Sequence, residues 1–145
     1  MKKLVLLYLL LATGYSQAQT SDWVWARSAG GVNSDIAKGV ALDPLGSLFV
    51  GGHFSSDEIS LGSNSLVNSN NGTNDLFISK YDPDGNVIWA VSEGGTDHDV
   101  TNSVSADKWG NVYVAGYFSS STISFGSSTL VNSGSSKDLF LVKYD

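Results

Sequence analysis

Few side chains in this sequence have the type and spacing that chemistry requires. Asp82, Asp84 and Asn86 form an Asp-x-Asp-Gly-Asn run, with oxygen ligands at the alternate spacing of a calcium loop. The bidentate glutamate that such a loop needs farther along is missing, and a hairpin turn accounts for every residue in the run. Asp97, His98 and Asp99 place an imidazole between two carboxylates, a partial metal set, but the other histidine, His53, has no suitable spacing to complete it. Trp109 stands in a turn, where an indole could serve as a stacking platform for sugar or peptide or simply cover a neighbouring element. Nucleophilic chemistry has no foothold: there is no cysteine, no Gly-x-Ser-x-Gly run and no Ser/His/Asp set. Carboxylates pair only in turns, which leaves a glycosidase reading without support. These residues predict a protein that is not an enzyme and carries no cofactor, with calcium as the less favoured alternative. Asn71-Gly72-Thr73 is formally a glycosylation sequon in an Asn/Ser-rich loop.

The elements holding these residues come from a repeat. Shifting the chain by 64 residues carries Trp25 onto Trp89, Gly30-Gly31 onto Gly94-Gly95, Asp35 onto Asp99, Asp43 onto Asp107 and Gly46 onto Gly110. The same shift superposes Phe54-Ser55-Ser56 on Phe118-Ser119-Ser120, and Leu66-Val67-Asn68-Ser69 on Leu130-Val131-Asn132-Ser133. After a one-residue deletion, Asp75-Leu76-Phe77 matches Asp138-Leu139-Phe140, and Lys80-Tyr81-Asp82 matches Lys143-Tyr144-Asp145. Self-similarity at such a period marks a repeat architecture. Residues repeated at equal positions are therefore read as structural: Trp25 and Trp89, Gly30 and Gly94, Asp35 and Asp99, Asp43 and Asp107, Gly46 and Gly110, Asp75 and Asp138. The positions that break the symmetry are His53 for Tyr117, His98 for Ser34 and Trp109 for Leu45.

Within one period the pattern predicts four strands, about 36–42, 48–54, 75–81 and 87–92. Asp43-Pro44-Leu45-Gly46 and Asp82-Pro83-Asp84-Gly85-Asn86 join them as type I turns, and Asp107-Lys108-Trp109-Gly110 repeats the first. Apolar residues fall on both faces, as in Val87-Ile88-Trp89-Ala90-Val91, so both faces are expected to be covered, by sister sheets. The first strand is small-sided (Gly39, Ala41; Ser103, Ser105), which suits the crowded inner strand of a blade. Between second and third strands, Ile59-Ser60-Leu61-Gly62 and Leu66-Val67 recur as Ile123-Ser124-Phe125-Gly126 and Leu130-Val131, which predicts an extra hairpin. The fold class expected is all-β: β-propeller blades, four-stranded antiparallel meanders with that hairpin, in an incomplete ring.

The motif Trp-Ala-x-Ser-x-Gly-Gly, then Asp, then Asp-x-x-Gly-Asn-Val-Tyr-Val-x-Gly-x-Phe, then Asp-Leu-Phe-x-x-Lys-Tyr-Asp-x-x-Gly-Asn-x-x-Trp resembles the bacterial SBBP-type β-propeller repeat over nearly all of 22–145. The resemblance implies a propeller in a large exported or surface protein, often of Bacteroidetes, and brings no catalytic residues with it.

Residues 1–18 read as a signal peptide: Lys2-Lys3, an apolar run too short to span a bilayer, then Ser16-Gln17-Ala18. The mature region would be 19–145, secreted or on a cell surface. The formal net charge of −6 becomes −8 without the two lysines, which disfavours nucleic acid as a partner. Glycine and the summed aromatics both number 16, an aromatic load that disordered chains lack. In phase, 22–28 aligns with a fourth strand and is expected to be an outer closing strand. A first blade follows at about 35–92, and a second at about 99–145 lacks its fourth strand. Two blades cannot close a ring of ~4 to 8. The phase predicts the front of a longer polypeptide, or else two-blade chains lending strands to each other as small lectins do. The expected role is an exported binding or structural module for a protein or glycan, with further blades of its own chain or sister chains as partners. The alternatives are a lectin-like oligomer and a scaffold for a downstream enzyme domain.

Overall fold

A computed structural model of the chain describes residues 21–145. The signal peptide expected at 1–18 lies outside the described residues. Among the described residues every regular element is a strand: β1 (Asp35–Leu42), β2 (Leu48–Phe54), β3 (Glu58–Leu61), β4 (Asn64–Val67), β5 (Asp75–Tyr81), β6 (Val87–Glu93), β7 (Asp99–Ala106), β8 (Val112–Phe118), β9 (Thr122–Phe125), β10 (Ser128–Val131) and β11 (Asp138–Tyr144). The all-β reading holds, and the second and third strands of the first repeat fall where the pattern puts them. The first strand starts one residue earlier, at Asp35, and the fourth continues to Glu93.

The first blade is an antiparallel sheet in the order β1-β2-β5-β6, and the second is β7-β8-β11; β3-β4 and β9-β10 are separate hairpins. Turn chemistry sets the meander. In each of three turns the glycine N–H donates to the leading aspartate carbonyl, Gly46 to Asp43 (3.0 Å), Gly85 to Asp82 (3.0 Å) and Gly110 to Asp107 (3.2 Å). Those glycines have φ of 85°, 77° and 90°, a left-handed conformation costly for any residue with a Cβ.

The inner strands share a feature that periodicity did not predict. The β1–β2 register slips between Ala37 and Gly39, and β7–β8 slips at the equivalent place, between Thr101 and Ser103. The bulge brings backbones together: a Cβ on Gly52 would lie 2.0 Å from the Ile36 carbonyl oxygen, and one on Gly116 would lie 2.0 Å from that of Val100. Only glycine admits this approach, and the added twist tightens the inner edge of each blade.

The blades stack face to face. The back of the first blade (Phe49, Leu76, Ile78, with Trp89 and Val91) packs on the front of the second (Val112, Val114, Phe118, Ile123, Phe140) in one apolar cluster. Trp89 bridges the join, its ring 6.1 Å from Phe49 and 6.0 Å from Tyr144. Val104 fits against Gly39 and Gly51, which explains the small residues of the first inner strand.

One expectation needs correction. The front of the first blade is covered by its own hairpin and not by a sister sheet: Ile59, Leu61 and Leu66 of β3–β4 close over Phe54, Phe77 and Tyr81 as a second core. The segment 22–28 belongs to no sheet among the described residues. In the first blade the outer edge of β5 is already held by β6. The segment instead crosses the β5–β6 turn, where Trp25 Nε1 donates to the Pro83 carbonyl (3.1 Å) and Arg27 Nε to that of Gly85 (2.9 Å).

Candidate functional site

The sequence candidates divide into two groups, at opposite ends of the strands. At one end lie the three Asp…Gly turns. Asp82 Oδ1 accepts from the Asn86 backbone N–H (2.7 Å) and Oδ2 from its side-chain amide (2.9 Å), so the carboxylate is spent on its own turn. Those two bonds from Asn86 hold Asp82 below the usual carboxylate range. Asp84 is exposed and contributes only its carbonyl, which accepts from Arg27 Nη2. Asp107 Oδ1 accepts from the N–H groups of Trp109 and Asn111, and Oδ2 from the Asn111 amide and the Tyr113 hydroxyl. Burial would raise its pKa, but these donors outweigh burial and lower it. For Asp43 burial is again the largest influence and is outweighed, here by Ser47, Leu45 and the Lys80 ammonium, 3.8 Å from Oδ2. All three turn aspartates are therefore ionised at neutral pH.

At the opposite end, the carboxylates tie the blades to their linkers. Asp35 Oδ2 accepts from Gly31 N–H (2.7 Å) and Ser56 Oγ (2.8 Å); Asp99, fully buried, accepts from Ser120 Oγ (2.7 Å) and the N–H groups of Ser119 and Ser120. Gly31 and Gly95 lie against the equivalent serines, so close that a Cβ would sit 2.6 Å and 2.7 Å from the serine Cβ. Asp75 Oδ2 accepts from Ser69 N–H, and Asp138 Oδ2 from Ser133 N–H and Oγ. Gly94 closes over Asp75, whose Oδ1 is buried without a partner. Burial, against the Ser69 bond, raises the Asp75 pKa; burial and the nearby Asp75 charge raise Glu93. Burial also raises Asp99.

Asp97, His98 and Asp99 do not converge. Asp97 Oδ1 accepts from His98 N–H, His98 Nδ1 accepts from Asn74 N–H (3.1 Å), and Asp99 points into the Ser119–Ser120 corner. Among the described residues no three His, Cys, Asp or Glu side chains are grouped to hold a metal ion. His53 is buried between the blades, and burial, with Lys38 and His98 nearby, lowers its pKa.

Trp109 is placed differently. Its side chain is 76% exposed, with Lys108 Nζ 4.5 Å above the ring, and Leu45 at the matching position of the first blade is 84% exposed. The two turns are neighbours, since Gly110 lies 3.8 Å from Asp43 Oδ2 by its Cβ position. The neighbouring turns that bear these exposed side chains, each held by its ionised aspartate, thus form one rim of the inner strands.

Apolar side chains also lie open on the outer blade faces. On the front of the first blade, between it and the 22–28 segment, lies a cavity of about 320 Å³ lined by Trp25, Leu48, Val50, Ile59, Phe77 and Tyr81. On the back of the second blade Leu139 and Leu141 are 81% and 68% exposed, whereas their counterparts Leu76 and Ile78 are both at 0%. Sequence reasoning missed these faces because a strand pattern does not say which copy has a neighbour.

No family model matches the chain. Its sequence is 28% identical over 130 residues to an uncharacterized WD repeat-containing protein of Acanthamoeba polyphaga mimivirus. The match covers 83% of this chain and 9% of the relative, so the chain spans under a tenth of that protein's length. Stacked antiparallel blades and this similarity agree. The chain is a β-propeller-like repeat protein.

Proposed function

We propose that this propeller-like chain is an exported binding module that recognises a protein or glycan through the rim bearing Leu45 and Trp109. WD repeat chains generally serve as binding or scaffold modules, and the distant relative brings that role here as a reading. One observation carries the reading: two large apolar side chains stand exposed on neighbouring turns of the two inner strands, while the repeated carboxylates of those turns are engaged in holding backbone. An indole with an ammonium above it presents a flat apolar face and a cation together, which suits a sugar ring or an acidic peptide. The basic start at Lys2-Lys3, the apolar run and the Ser16-Gln17-Ala18 corner support export, and the SBBP-like motif supports a surface setting. The test is binding of the purified chain to arrays of surface oligosaccharides and of acidic peptides. Expected is a set of ligands whose signal falls at least about tenfold in Trp109→Ala, as removing an aromatic anchor from a binding centre does. Binding that ignores Trp109→Ala and Leu45→Ala overturns the assignment of the rim.

A further inference from the structure

Both histidines of this sequence break the repeat, and the fold brings them to one place. His53 stands where the second copy has Tyr117, and His98 where the first has Ser34. On β2, Gly51 lies against β7, its Cβ position 3.1 Å from Thr101 Cγ2. His53 is two residues farther along the same strand, so its imidazole leaves the same face and enters the join between the blades. It is 8% exposed there, and its Nδ1 is buried without a partner among the described residues. His98, in the linker that leads into β7, is a near neighbour of His53, as is Lys38 of the β1 bulge.

Three hydrogen bonds fasten that linker to the first blade. Asn70 Nδ2 donates to the Thr96 carbonyl (2.9 Å), the Asp99 N–H to the Asn74 carbonyl (2.7 Å), and the Asn74 N–H to His98 Nδ1 (3.1 Å). The backbone at His98 follows the repeat: its carbonyl accepts from the Ser119 N–H (2.9 Å), as that of Ser34 accepts from Ser55 (3.0 Å). Only the imidazole is new. A ring nitrogen that accepts a hydrogen bond carries no proton, so this contact selects the neutral tautomer of His98 with its hydrogen on Nε2. A proton on Nδ1 would set N–H against N–H and break the bond. At His53 a proton would place a charge in the blade join, where Nδ1 has no buried partner to receive it.

The charges around the pair do not offset this. Burial, with the Lys38 and His98 charges, lowers the pKa of His53. The nearby carboxylates are committed elsewhere: Asp97 Oδ1 accepts from the His98 N–H, Asp99 from Ser119 and Ser120, and Asp75 Oδ2 from Ser69. Burial raises the pKa of Asp75, Asp99 and Glu93, so those three take up protons more readily when folded, an effect opposite in sign to that of His53. We propose that His53 and His98 form a proton-operated latch across the blade join, which holds the 96–99 linker on the 68–74 loop while both rings are neutral and releases it when they are protonated. Because the folded pKa of His53 lies below the model value of 6.5, its contribution is complete above 6.5 and is lost as the pH falls from there through the folded value. The latch lies inside the chain and is independent of the rim ligand.

The experiment is hydrogen exchange of the purified chain, read amide by amide by NMR and corrected for the intrinsic rate, from about pH 8 to about pH 5, the span over which histidine changes charge. Expected in the wild type is a rise of at least about tenfold in the opening of the Asn74 and Asp99 amides, the change that one proton gives over one pH unit, while the Gly46 and Gly85 turn amides stay as they are. His98→Asn puts a carbonyl oxygen, which does not titrate, where Nδ1 stands, and should hold the Asn74 amide equally at both ends of the range. The ring protons of His53, followed in the wild type, should titrate with a midpoint below 6.5. Protection of Asn74 and Asp99 that ignores pH, an opening of Asn74 that persists undiminished in His98→Asn, or a His53 midpoint at or above 6.5 each overturns the latch. The two wild-type readings decide the matter even where His98→Asn fails to fold.

Discussion

Truncating equivalent leucines in the two blades tests whether the blades stack as described. Leu76 and Leu139 occupy the same repeat position, yet Leu76 is at 0% exposure in the core between blades and Leu139 is at 81%. Leu76→Ala removes a fully enclosed side chain and leaves a cavity, which costs roughly 2–5 kcal/mol. Leu139→Ala in an isolated chain removes a side chain already in water, and such changes stay within about 0.5 kcal/mol. With a urea slope of about 2 kcal/mol/M for a protein of this size, the first substitution lowers the midpoint by about 1–2.5 M and the second by less than about 0.3 M. The assay is urea unfolding followed by tryptophan fluorescence, with Trp89 at the blade join as reporter. It is run at a dilution where light scattering finds one chain, so that self-association does not protect Leu139. Equal losses at both positions would refute the stacking argument.

Gly52→Ala forces a methyl to within 2.0 Å of the Ile36 carbonyl and should prevent soluble expression or cost more than about 3 kcal/mol, whereas Gly134→Ala, with nothing within 4 Å, should leave the melting temperature unchanged. Asp75 has a folded pKa raised by burial, so its ionisation opposes folding: its favourable contribution is present below the model-peptide value of 3.8 and is lost as pH rises through the folded pKa. Asp75→Asn should therefore raise thermal stability at pH 7 and lose that advantage as the pH approaches 3.8, read from melting curves across pH. Gly85→Ala places a methyl 2.7 Å from the Trp25 ring at a φ of 77°; it should displace the 22–28 segment, seen as new protease cleavage there with β-sheet circular dichroism retained.

The local half of this protein was legible from residue types alone. Asp43…Gly46 and Asp82…Gly85 dictate turns because aspartate accepts from the N–H groups that follow and glycine takes positive φ; alternation and the 64-residue shift then place the strands and the hairpin. Those signals depend on neighbours in the chain. Three things needed the tertiary structure. The bulge at Ala37–Gly39 exists because inner strands must twist hard, and Gly52 shows its cause only once Ile36 lies across from it. The candidates Asp97, His98 and Asp99 diverge because Asp97 accepts from the next residue's N–H, while His98 and Asp99 are drawn to Asn74 and Ser120 from other parts of the chain. Leu76 and Leu139, alike in sequence, differ in exposure because burial belongs to the surface laid against a residue, and no strand pattern carries that information.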